Sequence, residues 1–568
     1  MLTILLNWVY AVFTITLLGF GVAALIEKIF SYRIKSGDSI LMAGMITATV
    51  YAQSFSLFYK VGMLANIILV VVCALILLFC WKYINSTVKA WIKDTSAVQK
   101  VILLLLVLAW SYFTSRGYIH YDSDLYHAQS IRWMEEYGIV PGLGNLHERF
   151  AYNSSFFALS ALYSLKFLLG YSMHAMSGLV AMILSITCLP IMNSWKRKSF
   201  SLADFARVGA IYYLTTITNE VVSPASDYAV MCIIFFIVIK WLDALEKNVK
   251  EIAPYALLCV VGVYALTLKL TAGLILLLLI KPAYQLIKEK RVKEIFIYLA
   301  LGLLVAIPWM ARTVIISGWL FYPFTALDLF NFDWEMDGHM INLDAMQIKV
   351  WGRALYNVTL IDVPLIGWFP NWFFNTLSTM EKLLIIGDFV AIIITVLKVV
   401  EIFIKKSWEK LDVLLVLITM ICCYVFWQTS APLMRYGYAY VLLLVFLVFG
   451  WVLQEILTSK YITGSLLGKK FSKSCAATVY LMFLLYGCYK IVVLADYIKD
   501  TSYADFYVWQ EDYGVYEMDS YELNGVTFYY PIYGDRAGYE YFPSAGAKVE
   551  GLEFRGETIE EGFIKKLD

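Results

Sequence analysis

The chain has 568 residues, of which 61% are hydrophobic and only 16% charged, with a net charge of +1 and a mean hydropathy of +0.70. That balance excludes a soluble globule, whose surface needs more charge, and excludes nucleic acid as a partner, since phosphate binding needs a concentrated basic surface. Nine cysteines show no CxxC or metal-type spacing. Cys73, Cys80, Cys188, Cys232, Cys259, Cys422, Cys423 and Cys488 fall inside apolar runs and Cys475 at the edge of one, where a thiol acts as a small hydrophobe.

A helix needs ~20 mainly apolar residues to cross ~30 Å of hydrocarbon. In chain order, such stretches are predicted near 2–26, 39–58, 61–81, 101–116, 171–192, 208–222, 228–246, 294–316, 379–404, 411–428, 437–457 and 474–494. The first has no basic flank and is too long for a signal-peptide core, so it is expected to stay as a span. Residues 254–287 are too long for one crossing and are expected to turn at Leu268-Lys269-Leu270, because a lysine in mid-bilayer costs ~3 kcal/mol. The expected fold is therefore an all-α polytopic membrane protein, a helical bundle of about fourteen transmembrane helices.

Basic residues in short loops mark the cytoplasmic side. They are Lys28, Arg33 and Lys35; Lys82, Lys89, Lys93 and Lys100; Lys196, Arg197, Lys198 and Arg207; Lys288, Lys290, Arg291 and Lys293; Lys405, Lys406 and Lys410; and Lys460, Lys469, Lys470 and Lys473. All lie on one side only if the N-terminus is outside and the apolar stretch Ser154–Leu169 lies in the outer interface without crossing, which suits a short segment carrying Lys166. The loops 117–153 and 317–375, the turns 219–227 and 429–436, the Lys269 turn and the tail 495–568 are then extracytoplasmic. All five histidines, His120, His127, His147, His174 and His339, fall on that side or its edge. Residues 1–494 form the membrane domain. The tail from Asp496, with sixteen acidic against six basic residues, is expected to be a small α/β module with an extended stretch at Val526–Tyr530. Its turn-rich run Pro531–Gly538 either folds back over the membrane mouth or belongs to an ordinary capping domain.

The densest polar run is His120-Tyr-Asp-Ser-Asp-Leu-Tyr-His127. Asp122 and Asp124 beside histidines can act as a general base or hold a divalent cation such as Mg or Mn; either can also cap a helix. Asn145 through Arg149 and Asn153-Ser-Ser155, with His147, can pair with sugar hydroxyls or form a capped loop. Glu220 and Asp227 at an expected outer turn suggest an outward cavity, with an N-cap as the alternative for Asp227. Lys269, Arg312 and Arg435 stand at expected outer ends, where cations grip a phosphate or simply snorkel. The aromatic runs Trp319–Phe324 and Trp368–Phe374 suit a headgroup belt, a sugar platform or a prenyl groove.

Tyr121–Gln129, Gly142–Arg149, Asn153–Phe157, Ser223–Asp227 and Ala431–Tyr436 together resemble a family of bacterial multi-span membrane proteins similar to GT-C glycosyltransferases. The resemblance runs from about residue 100 onward. It implies a GT-C-like bundle with interfacial helices in the bacterial inner membrane, taking a sugar from a polyprenyl-phosphate donor to a glycan or lipid acceptor on the extracytoplasmic face, with inversion. Asp122 or Asp124 would be the catalytic base. Lys269, Arg312 and Arg435 would hold the donor phosphate, Asp227 would support the site, and His127, His147, Asn153, Glu220 and Tyr436 would line it. Three spans before the span leading into the acidic loop depart from the family pattern.

Two other classes use the same residues. A ligase or polymerase of the O-antigen type would move whole glycans from the lipid carrier. A transporter or flippase of a lipid-linked glycan would place charges near mid-bilayer and show inverted repeats, and no such symmetry is visible.

Overall fold

The computed structural model describes residues 1–197, 200–458 and 466–566. Lys198 and Lys460 lie outside the described residues, as do the side chains of Lys196, Lys469, Lys470, Lys473 and Cys475.

The chain is a helical membrane protein. Among the described residues, eight helices are long and apolar enough to cross a membrane: Leu2–Phe30, Ala97–Ser115, Ser226–Glu246, Leu270–Lys288, Val292–Ser317, Thr379–Lys405, Trp408–Thr429 and Met434–Leu457. A ninth is gained if Met63–Phe79 and Trp81–Asp94, bent by 83°, count as one span. The count of about fourteen is not confirmed: the expected span 474–494 falls in the helix Leu466–Lys499, many of whose side chains lie outside the described residues, and four other stretches fall short locally. Gly37–Ser56 is long enough but too polar, while Met176–Cys188, Leu202–Thr216 and Ala253–Leu268 have only 13, 15 and 16 residues. Residues 254–287 do divide at Lys269, which is extended between Ala253–Leu268 and the 3-10 stretch Leu270–Leu279.

Local chemistry explains several helix starts. Ser96 with Gln99, Ser201 with Asp204 and Ser378 with Glu381 form capping boxes that satisfy the first free N–H groups. Leu2–Phe30 and Gly37–Ser56 pack backbone against backbone through glycine. A Cβ on Gly44 would lie 1.8 Å from the Ile15 carbonyl oxygen, and one on Gly19 would lie 2.0 Å from that of Ile40.

The stretch expected to lie in the outer interface is the helix Ser155–Tyr163 followed by the short turn Lys166–Leu169. All nine residues of the helix are buried, so protein encloses it, and only Lys166–Leu169 beyond the left-handed Leu165 is without a buried residue.

Hydrogen bonds fix which segments share an end of the bundle. The N-terminal amine donates to the Phe506 carbonyl at 2.6 Å, Thr3 N–H to Val508 at 3.0 Å, and Glu511 N–H to Ser115 at 2.7 Å. Tyr118 N–H reaches the Asn219 carbonyl at 2.7 Å. The N-terminus, the acidic loop, the 217–225 turn and the tail therefore meet at one end. Elsewhere, Lys240 pairs with Asp38 at 2.7 Å and Arg207 with Asp204 at 3.0 Å.

The tail is not an independent α/β unit. After Lys499 the described residues hold two antiparallel hairpins, Met518–Leu523 with Val526–Pro531 and Leu552–Phe554 with Phe563–Lys565, and only 3-10 turns for helix. The first hairpin turns at Asn524-Gly525, both at positive φ, the geometry that Asn-Gly favours. Phe528, Phe554 and Phe563 share one core with Trp133, Leu143, Leu146, Trp319 and Met336 of the two long loops. That shared core places the tail across the loop end.

Candidate functional site

At the loop end, four segments far apart in sequence bring charge together. The loop 117–127 supplies His120 and Asp122, the start of Ser226–Glu246 supplies Asp227, the break after Leu268 supplies Lys269, and the start of the helix at Met434 supplies Arg435 and Tyr436. Arg435 is aimed by its approach loop, whose Pro432 and Leu433 carbonyls accept from the indoles of Trp372 and Trp427, each at 2.9 Å. Trp372 is 2% exposed, so this indole is held inside the protein against the loop that leads to Arg435, while Phe374 of the same run is exposed.

Arg435 is the hub. Its Nη2 donates to Asp122 Oδ2 at 2.6 Å and to the Tyr436 hydroxyl at 2.9 Å, and its Nε lies 3.5 Å from Asp227 Oδ2. Its other amine donates to the His120 ring. Lys269 pairs with the second oxygen of Asp227 and sits 3.2 Å from the centre of the Tyr436 ring. Glu220 stands at the edge, accepting from the Tyr228 hydroxyl at 3.0 Å. The His120 N–H is anchored to Ser223 Oγ at 2.7 Å.

Burial alone would raise the Asp122 carboxyl, but the Arg435 guanidinium, with His127, His120 and Arg149 behind it, holds it below the usual carboxylate range. His120 is pushed down by burial and then by Arg435, against the opposing pull of Asp122 and Asp227. His127 is fully enclosed and is pushed down to about 3 by burial; its Nδ1 is 3.0 Å from Ser123 Oγ and its ring packs on Tyr126 and Phe157. It backs the cluster without lining it.

The two aspartates part company. Asp124 lies one residue into the π-helical turn Ser123–His127, which begins just after Asp122. Its carboxylate accepts from Gly514 N–H at 3.0 Å and from the Tyr516 hydroxyl at 2.7 Å, while its carbonyl accepts from Ala537 N–H and Gly538 N–H at 3.0 and 2.8 Å. Burial raises its carboxyl even against those hydrogen bonds. Asp124 is thus the clip that ties the tail down. The run Pro531–Gly538 does fold back over the acidic loop, with Asp535 bonded to the Tyr121 hydroxyl and Arg536 5.0 Å from both the Tyr121 and Tyr516 ring centres.

This division bears on a divalent cation. One oxygen of Asp122 is occupied by Arg435 and both oxygens of Asp124 by the tail, so the pair does not fit a shared cation. Among the described residues no three His, Cys, Asp or Glu side chains stand where they could hold a metal ion.

Three other expected site residues lie outside the cluster. Arg312, 2% exposed, donates to Asn153 Oδ1 at 3.2 Å, to the Gly138 carbonyl at 3.1 Å and to Ser56 Oγ, with no carboxylate among its partners. Asn153 in turn donates to Thr313 at 2.9 Å and to the Trp309 carbonyl at 3.1 Å. The two residues staple the acidic loop to a span. His147 accepts from Arg149 N–H at 3.1 Å and faces Gly546 of the tail.

Among the ion pairs that sequence reasoning missed, one stands close to the cluster. Arg149 Nε is 3.1 Å from Asp344 Oδ1, and Asp344 also accepts from Tyr152 at 2.6 Å. The polar run marked Arg149, but nothing local to Asp344 in helix Gly338–Gly352 marks its partner.

No curated protein and no solved structure matches the chain. A family model described as a domain of unknown function (DUF8201) matches residues 1–442, covering every residue of the charged cluster. The chain belongs to the DUF8201 family.

Proposed function

We propose that this protein is a membrane glycosyltransferase of the GT-C type, moving a sugar from a polyprenyl-phosphate donor to a glycan or lipid acceptor with inversion. The observation that supports it most is the joint position of Asp122, Asp227, Arg435 and Lys269: two carboxylates paired with two cations at the end of the bundle where the long loops gather. A phosphate entering there competes with Asp122 and Asp227 for the guanidinium and the ammonium. Asp122, released from Arg435, becomes more basic as the donor binds.

In this reading the acceptor hydroxyl gives its proton to Asp122 and its oxygen attacks the anomeric carbon. The bond from that carbon to the phosphate oxygen breaks, and its electron pair leaves with the polyprenyl phosphate. Arg435 and Lys269 balance the charge of the leaving group, and Tyr436, in contact with both, sets their spacing. The loop end is extracytoplasmic in this account, following the basic loops, and the membrane is the bacterial inner membrane.

A flippase of a lipid-linked glycan is the second reading. It draws on Asp388 within Thr379–Lys405, fully buried with neither carboxyl oxygen hydrogen-bonded, since acids inside spans often mark transport paths. Incubating the purified protein in vesicles with radiolabelled polyprenyl-phosphate sugars and membrane extracts separates the two. Label moving into an acceptor supports the transferase; labelled lipid changing leaflet without any product supports the flippase.

A further inference from the structure

Away from the charged cluster, the loop that follows Val292–Ser317, the turn at 142–148 and the end of the tail enclose a cavity of about 420 Å³, within the range of small-ligand sites, about 300–1,000 Å³. Its walls include Asn145, Glu148, Trp319, Asp328, Glu335 and Lys565. Trp319 is 6% and Asn145 9% exposed. The Asn145 amide donates to the Trp334 and Phe563 carbonyls at 2.9 and 3.3 Å, which fixes its plane at the cavity wall and, among the described residues, leaves its oxygen without a donor. In the loop that supplies Asp328 and Glu335, Phe330 stacks on Phe332 at 5.4 Å and Phe332 on Trp334 at 4.4 Å, and Arg555 lies over Trp334 at 4.5 Å.

We propose that this cavity binds a saccharide bearing an amino group. A fixed amide oxygen and several carboxylates, with the uncovered edge of the Trp319 indole and Met340 beside them, make up a surface that accepts hydrogen bonds and offers a small apolar patch to a sugar ring. Acids outnumber the single Lys565, which favours a protonated amine over a neutral or anionic sugar. A bare divalent ion is the simpler tenant of an acidic pocket, but these carboxylates are too spread to form a metal cage among the described residues. Burial, together with the nearby charge of Asp328, already raises the Glu335 carboxyl, and an ammonium bound between them relieves that cost. Glu148 lines the cavity while its neighbour Arg149 lends its charge to Asp122, so one short turn joins the cavity to the cluster. That the bound saccharide is the acceptor rests on the transferase reading; that it binds does not.

The test is calorimetric titration of the full-length protein in detergent with the β-1,4-linked glucosamine trimer and with cellotriose, which has a hydroxyl in place of each amine. The glucosamine trimer is expected to bind about tenfold more tightly than cellotriose. Asp328→Asn and Glu335→Gln, checked for unchanged melting temperature, are expected to bring the two within about twofold. Equal binding of both sugars, binding of neither, or no response to the two variants overturns the proposal. Spermidine binding as tightly as the trimer overturns it too, since a polyamine needs no sugar surface. Trimer binding without any sugar transfer leaves the cavity standing and removes the transferase reading; transfer without trimer binding does the reverse.

Discussion

The guanidinium of Arg435 donates to the Asp122 carboxylate across 2.6 Å, joining the acidic loop to the start of a span more than three hundred residues later. Their side chains are only 22% and 15% exposed, so removing one partner leaves a charge poorly solvated. Asp122→Asn and Arg435→Gln are each expected to destabilise the protein, with a coupling energy of about 1–3 kcal/mol in a double-mutant cycle. Additive single effects in denaturant titrations would mean that the pair does not form.

Asp124 should behave as a latch. Asp124→Asn replaces one acceptor oxygen with an NH2 group that opposes either the Gly514 or the Tyr516 donor, and Tyr516→Phe removes a single hydrogen bond. Hydrogen exchange over residues 511–538 is expected to speed up in both variants, by about 1–3 kcal/mol of lost protection for Asp124→Asn and about 1 kcal/mol for Tyr516→Phe. Exchange that stays slow in both would show that other contacts hold the tail.

Acid should weaken the fold through buried histidines. Burial holds His127 and His174 down to about 3, while the unfolded chain protonates near the ordinary value of about 6.5. Above about 6.5 neither state binds the proton and these residues contribute no pH dependence. As pH falls from there towards about 3 only the unfolded state gains protons, so each histidine costs about 1.4 kcal/mol per pH unit. Melting temperature against pH should fall more gently over that window in His127→Gln than in the unchanged protein, and parallel curves would contradict the enclosure of His127.

Arg312 is expected to matter for folding and not for the donor. Arg312→Lys loses the fork that serves Asn153, Ser56 and Gly138, at about 2–4 kcal/mol. Its KM for a lipid-phosphate donor should match the unchanged protein, whereas Lys269→Met should raise it. Equal rises would return Arg312 to the phosphate site.

The apolar runs made the membrane class legible, and the lysine in 254–287 located a real break, because burying an unpaired ammonium in lipid is costly. The number of spans was harder to read, since an apolar run does not show where its helix stops, and Ala253–Leu268 ends after 16 residues. Asp122, Asp227, Lys269 and Arg435 were each visible as charges next to apolar runs, and they do converge. Asp124 and Arg312 carried the same local signal, yet their partners, Tyr516 and backbone N–H groups of the tail for one and Ser56, Gly138 and Asn153 for the other, lie far away in sequence. Asp344 had no local signal at all.

Transfer of radiolabelled sugar from a polyprenyl-phosphate donor, compared between Asp122→Asn and Asp124→Asn at matched membrane insertion, tests the central claim most directly. Transfer abolished by Asp122→Asn and only reduced by Asp124→Asn is the predicted result; full transfer in Asp122→Asn would contradict it.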